Sequence, residues 1–245
     1  MSASRVRPPS VAQLKARLRE HADEADAAFL QGFFKTGPGE YGEGDVFVGV
    51  RVPDMRRVCR EAAGAPLAAM RSLLRSPVHE DRTLALLLLV QAFVNGDDER
   101  RQEIYDLYLA NTRQINNWDL VDLSAGPIVG ACLANRKRTP LTKLARSPSL
   151  WERRIAIVAT HHFIRRGELD ETFRIADLLL HDTHDLIHKA VGWMLREAGK
   201  RDAAALRAFL RDRYRGMPRT MLRYAIERFD DAERRQYLKG EVVSR

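Results

Sequence analysis

Apolar residues along this chain recur at three- and four-residue steps almost from end to end, the period of helices that bury one face. Val11, Leu14 and Leu18 form one stripe with Ser10 as its N-cap, and Pro53 opens another in "PDMRRVCREAA". The same period predicts helices over 66–75, 79–95, 98–111, 117–134, 149–166, 171–181, 184–198, 202–213 and 218–229. Breaks fall at Gly96, at "NRKRTP" (135–140), at Gly167 and at "RGMP" (215–218). Strand-like alternation is confined to "VFVGVRV" (46–52), which is short.

The helices also repeat. The small–aliphatic pairs Ala85-Leu86, Ala156-Ile157, Ala190-Val191 and Ala225-Ile226 stand 71, 34 and 35 residues apart, with Leu120-Val121 midway through the long gap. A period near 35 with two helices per unit predicts an all-α fold, an α-solenoid of HEAT-like helical repeats; the Trp, Gly, Tyr and Pro pattern of TPR units is missing. The expectation is a single repeat domain over 1–245, with 1–9 as a flexible tail. Just before each small residue sits a base: Arg82, Arg153 and Arg154, Lys189, Arg223. Stacked units would align these bases along one concave wall as a basic groove; the plainer alternative is a set of solvated helix ends.

Composition and charge narrow the picture. A chain of 245 residues can bury a substantial core, and 30% charged residues fit a soluble protein. "LALLLLVQAFV" (84–94) falls short of the roughly 18 residues that a membrane span needs and reads as a buried helix. The start, "MSASRVRPPS", lacks the apolar core of a signal peptide, so export is not expected and the expected location is the cytoplasm. Cys59 and Cys132 read as reduced structural thiols, neither having a His or Asn at a suggestive spacing. A net charge of +8 points to a polyanion, most often nucleic acid, although a GC-rich genome also inflates arginine. "KTGPGEYGEGDVFVGV" (35–50) breaks the helical pattern with five glycines and three acids. It lacks the Gly-Lys-Ser/Thr ending of a phosphate loop and the acid spacing of a calcium loop. Two readings stay open for it, a connection or a loop that touches the ligand.

Candidate chemistry centres on "INNWDLVDLSAG" (115–126). Trp118 and Asp122 lie four apart and share a helix face, while Asp119 lies about 100° round the helix. Trp193 has Lys189 four residues before it and Arg196 three after, an aromatic and cationic face suited to nucleic acid. The alternative for all three tryptophans is a packing role, which suits Trp151 at a helix start best. "HDTHDLIH" (181–188) approximates a zinc motif through His184 and His188, but a third ligand is not fixed, and neither metal nor cofactor is expected.

These residues resemble the HEAT-like-repeat DNA alkylation repair glycosylases of the AlkD type. The resemblance runs from about 25 to 230 and is carried by "FVGVRVPDMRRV" (47–58), "NNWDLVD" (116–122), "WERRIAI" (151–157) and "KAVGWMLRE" (189–197). It implies that Trp118 and Asp122 form a catalytic face, completed by Arg154 rather than Arg153 and by the second aromatic, Trp193. It implies a phosphate contact at Arg196 and a contact at the Phe33 position; the repeated bases Arg82, Arg153, Lys189 and Arg223 complete the expected DNA-binding set. A family tyrosine falls on Phe33, a departure that removes a hydroxyl, and the Gly-rich stretch 36–45 marks a second branch. The implied protein is a monomeric, monofunctional glycosylase that releases cationic N3- and N7-alkylated purines from duplex DNA without a base-flipping pocket. The chemistry is coherent: rupture of the glycosidic bond develops oxocarbenium character, which a carboxylate and an indole face stabilise. Two rivals stand beside it: a catalytically weak or inactive DNA-binding, damage-sensing repeat protein, and a HEAT-type scaffold for acidic peptides.

Overall fold

The computed structural model describes residues 8–242, which are helical with no β-strand among them. The expected tail, 1–9, lies mostly outside the described residues. Internal contacts gather the chain into two compact units, divided in sequence between Ser124 and Ala125.

The first unit holds α1 (Val11–Arg19), α2 (Glu24–Phe33), α3 (Val52–Glu61), α4 (Leu67–Leu74), α5 (His79–Asn95), α6 (Asp98–Leu109) and α7 (Trp118–Ser124). Ser10 caps α1 in a reciprocal capping box with Gln13, and a proline sits in the first turn of α3. The hub is α5, which packs against α1, α3, α4, α6 and α7. Its middle is apolar all round because neighbours cover every side. Helix α2 escapes the periodicity because none of its residues is fully buried.

"VFVGVRV" is extended but pairs with no strand beyond a single bridge between Val46 and Val78. From Phe47 to Val50 its N–H groups go to side chains instead. The buried Glu80 carboxylate accepts from Val48, Gly49 and Val50, at 2.8 Å for Gly49, and Gln31 accepts from Phe47 at 3.2 Å. Gly49 is obligatory: its φ is +81°, and a Cβ there would lie 1.9 Å from the Asp23 carbonyl oxygen.

The second unit opens with a π-helical turn, Ala125–Gly130, then α8 (Thr139–Ala145), α9 (Leu150–Ala159), α10 (His161–Arg165), α11 (Asp170–Leu178), α12 (Asp185–Arg201), α13 (Ala203–Arg211), α14 (Arg219–Ala225) and α15 (Asp231–Lys239). The helix predicted over 117–134 is thus interrupted, because Pro127 has no N–H to continue an α-ladder. The helix predicted over 149–166 divides at Thr160, whose hydroxyl donates to the Ile157 carbonyl at 2.7 Å. "NRKRTP" contains a start as well as a break, since Pro140 occupies the first turn of α8.

The repeat is visible within each unit. All the small–aliphatic pairs are buried, and the helices that carry them are neighbours: α5 packs on α7, and α12 packs on both α9 and α14. Gly192 shows how close these approaches are, since a Cβ there would fall 2.5 Å from Cβ of Tyr224 on α14.

Candidate functional site

The N-terminus of α5 reads "HEDR", and all four residues are buried. A helix with no solvent-facing side takes its polar end inside as well, so each of these charges needs a protein partner. Asp81 receives Arg19 at 2.8 Å and Lys15 at 3.2 Å, together with the Ser76 hydroxyl at 2.6 Å. Arg82 pairs with Asp45 at 2.6 Å and donates to the carbonyls of Ser76 and Pro77. This corrects its placement in a basic groove: Arg82 is a buried structural cation whose charge is already opposed.

His79 lies between two carboxylates. Its Nδ1 stands 3.0 Å from Asp45 at the end of the Gly-rich segment, and its Nε2 stands 2.8 Å from Asp119 on α7. Carboxylates only accept, so two such bonds require a proton on each ring nitrogen. Burial pulls the imidazole down, but the Asp119 charge and the bonds to Asp119 and Asp45 outweigh it, leaving the pKa at about 9. Burial likewise pushes Asp45 up, and the His79 bond and the Arg82 charge hold it below the usual carboxylate range.

The Trp118 face stands on this network. Phe34 stacks between the indole, 5.2 Å away, and Phe47, 5.0 Å away, while Phe47 stacks on the His79 ring at 4.5 Å. Phe33 meets the indole edge-on at 6.1 Å and is 52% exposed, so its ring lies at the surface beside Trp118. The indole Nε1 donates to the Tyr41 hydroxyl at 3.3 Å. The Gly-rich segment is therefore more than a connection, because it bears directly on the tryptophan. Trp118 itself is half-buried, as is Asp122 one turn on. The phenol of Tyr108 is pushed up, chiefly by burial; a bond with Ser124 opposes that and the Asp122 charge adds to it. Among the described residues, Asn116 Oδ1, Asn117 Nδ2 and Asp119 Oδ1 are buried without a hydrogen-bond partner, a concentration of unspent polar capacity at the foot of α7.

The second unit holds the remaining candidates. Arg154 is buried, with Nη1 donating to the Leu186 carbonyl at 2.5 Å. Arg153 pairs with Asp182 at 2.6 Å and caps the carbonyls of Ser147 and Pro148. Lys189 pairs with Asp185 at 2.7 Å, Arg196 engages Glu227 and Glu197, and Arg223 is exposed. The sequence therefore overstated the free charge of this row, because acids one turn or one helix away oppose much of it. Trp193 is half-buried, 5.9 Å from the His161 ring, and Trp151 is half-buried at the start of α9. In "HDTHDLIH", His184 caps α12 by accepting from the Leu186 N–H at 3.1 Å, and His188 bonds the Asp182 carbonyl. Both cysteines are free and buried, and burial pushes the Cys59 thiol up, away from nucleophile chemistry.

Sequence reasoning missed His79, Asp45 and Tyr41, and it set Asp119 aside as off the face. One signal was available: "HEDR" runs directly into "TLALLLLV", and an all-apolar helix leaves its polar start nowhere to go but inward.

Residues 14–229 match the family described as DNA alkylation repair enzyme. Among solved structures, the chain is similar to a predicted DNA alkylation repair enzyme from Enterococcus faecalis. The TM-score is 0.68 at 17% identity, over 86% of this chain and 98% of that one, a likeness of fold. No curated protein matches the chain.

Proposed function

Because the chain belongs to the DNA alkylation repair enzyme family, we propose that it is a monofunctional glycosylase acting on cationic N3- and N7-alkylated purines in duplex DNA. The observation that carries this reading is the Trp118 face. An indole half-open to solvent is stacked from below on Phe34 and held at its nitrogen by Tyr41, with a half-buried carboxylate, Asp122, one turn further along α7. A fixed indole offers a π-face to the cationic sugar, and a carboxylate near C1′ opposes the charge that develops as the bond breaks. An alkylated purine is already a cation and leaves readily, so the site needs no strong general acid. Roles for Arg154, Trp193 and Arg196 in the second unit follow from the resemblance and belong to the same proposal, with Arg153, Lys189, Arg223 and Phe33 as further DNA contacts.

Single-turnover release of 7-methylguanine from methylated duplex DNA tests this. Asp122→Asn keeps the shape and removes the charge, so excision should fall by roughly tenfold to a thousandfold, the scale of about 1.4–4 kcal/mol for one positioned group. Affinity for the duplex should hold or rise slightly as a repulsive anion is lost. Trp118→Ala should impair both excision and binding. Full activity in Asp122→Asn would discard the catalytic assignment and favour a protein that binds damaged DNA without cutting the glycosidic bond.

A further inference from the structure

The Gly-rich segment and α7 are far apart in sequence, yet two contacts join them beside Trp118. Asp45, at the end of the segment, reaches His79 Nδ1 at 3.0 Å, and Asp119, next to Trp118 in the chain, reaches His79 Nε2 at 2.8 Å. Four residues before Asp45, the Tyr41 hydroxyl accepts the indole N–H at 3.3 Å. We propose that His79 is a positioning residue: as an imidazolium clamped between Asp45 and Asp119 it fastens the Gly-rich segment to the first turn of α7, and Tyr41 on that segment holds the Trp118 ring for its ligand. The consequence for DNA rests on the glycosylase reading of Trp118; the clamp itself does not.

Geometry requires the charge. A neutral imidazole carries one N–H, so one of the two carboxylates would face a ring lone pair across hydrogen-bond distance. The charged groups facing the ring are Asp45 of the segment, Asp119 of α7 and Arg82 of α5 itself, and with His79 protonated the four charges cancel. Lys15 and Arg19 of α1 are directed at the neighbouring Asp81. The imidazole ring is 2% exposed and lies against Phe34 and Phe47, so water cannot stand in for a lost partner. Loss of the proton sets the ring against one carboxylate, and the strain falls on the contacts that seat Trp118 and Tyr41.

The test labels the three tryptophans with 5-fluorotryptophan in the intact, DNA-free protein and follows them by ¹⁹F NMR, with Trp118→Phe identifying the Trp118 signal. In the wild type that signal should shift with pH about a midpoint near 9, while the Trp151 and Trp193 signals do not follow it. Asp119→Asn should lower the midpoint by a pH unit or more, and His79→Gln, confirmed folded by circular dichroism, should abolish the shift. At neutral pH, Tyr41→Phe should displace the Trp118 signal alone. A Trp118 signal unchanged from pH 7 to 10 would overturn the clamp, as would a midpoint indifferent to Asp119→Asn. If the signal titrates as described but the wild type releases no alkylpurine, the clamp stands and the glycosylase reading falls.

Discussion

Because His79 is charged in the folded chain and largely neutral in the unfolded one at physiological pH, the clamp should be measurable as stability. Its folded pKa of about 9 lies above the ordinary value of 6.5. A raised pKa contributes fully below the unfolded value and is lost as pH rises through the folded one. At roughly 1.4 kcal/mol per pH unit separating the two, the full contribution is on the order of 3 kcal/mol below pH 6 and somewhat less at pH 7. The ring is almost fully buried, so little of this is lost to solvent screening. Asp119 supplies the largest of the favourable contributions, so Asp119→Asn should remove most of the total and lower the melting midpoint by roughly 5–10 °C at pH 7. Urea unfolding of wild type and variant from pH 5 to 10 is the assay. The two curves should lie furthest apart below pH 7 and converge by pH 10. A gap that stays constant across that range would mean that Asp119 stabilises α7 by some route other than the His79 proton.

If the exposed bases face a duplex, affinity plotted against salt on logarithmic axes should be linear, and Arg223→Ala should flatten the slope by about 0.9 for one phosphate released. Arg82→Ala should instead destabilise the fold by about 3–5 kcal/mol, since it removes one of the two cations that oppose buried Asp45 and breaks a buried ion pair; an equal flattening by both changes in a stably folded protein would contradict the burial of Arg82. Alkylpurine release should survive strong chelation, and His184→Ala should cost about 0.5–2 kcal/mol of stability through its α12 cap without affecting the reaction. Activity lost to chelator and restored by zinc would shift attention from Trp118 to the 181–188 histidines.

The helical period and the 35-residue repeat are local facts of the chain, and they sufficed to determine the all-α class and the positions at which helices pack. Ala85, Ala156, Ala190 and Ala225 are buried on helices that pack against neighbouring helices, and a small residue at that place recurs from repeat to repeat. Trp118 and Asp122 were legible for a related reason, since sharing one side needs only the pitch of a single helix. The partners of that face were not legible. Asp45, His79 and Asp119 are separated by 34 and 40 residues and lie on a loop and two helices, so no periodicity links them. The charge of Arg82 looked available for DNA because a sequence displays charge without its counter-ion. Tertiary packing assigned that counter-ion, drove "HEDR" inward with the apolar helix that follows it, and bent a Gly-rich segment until its tyrosine met the indole. Those are decisions about desolvation and pairing between distant segments, and they exist only once the chain has closed on itself.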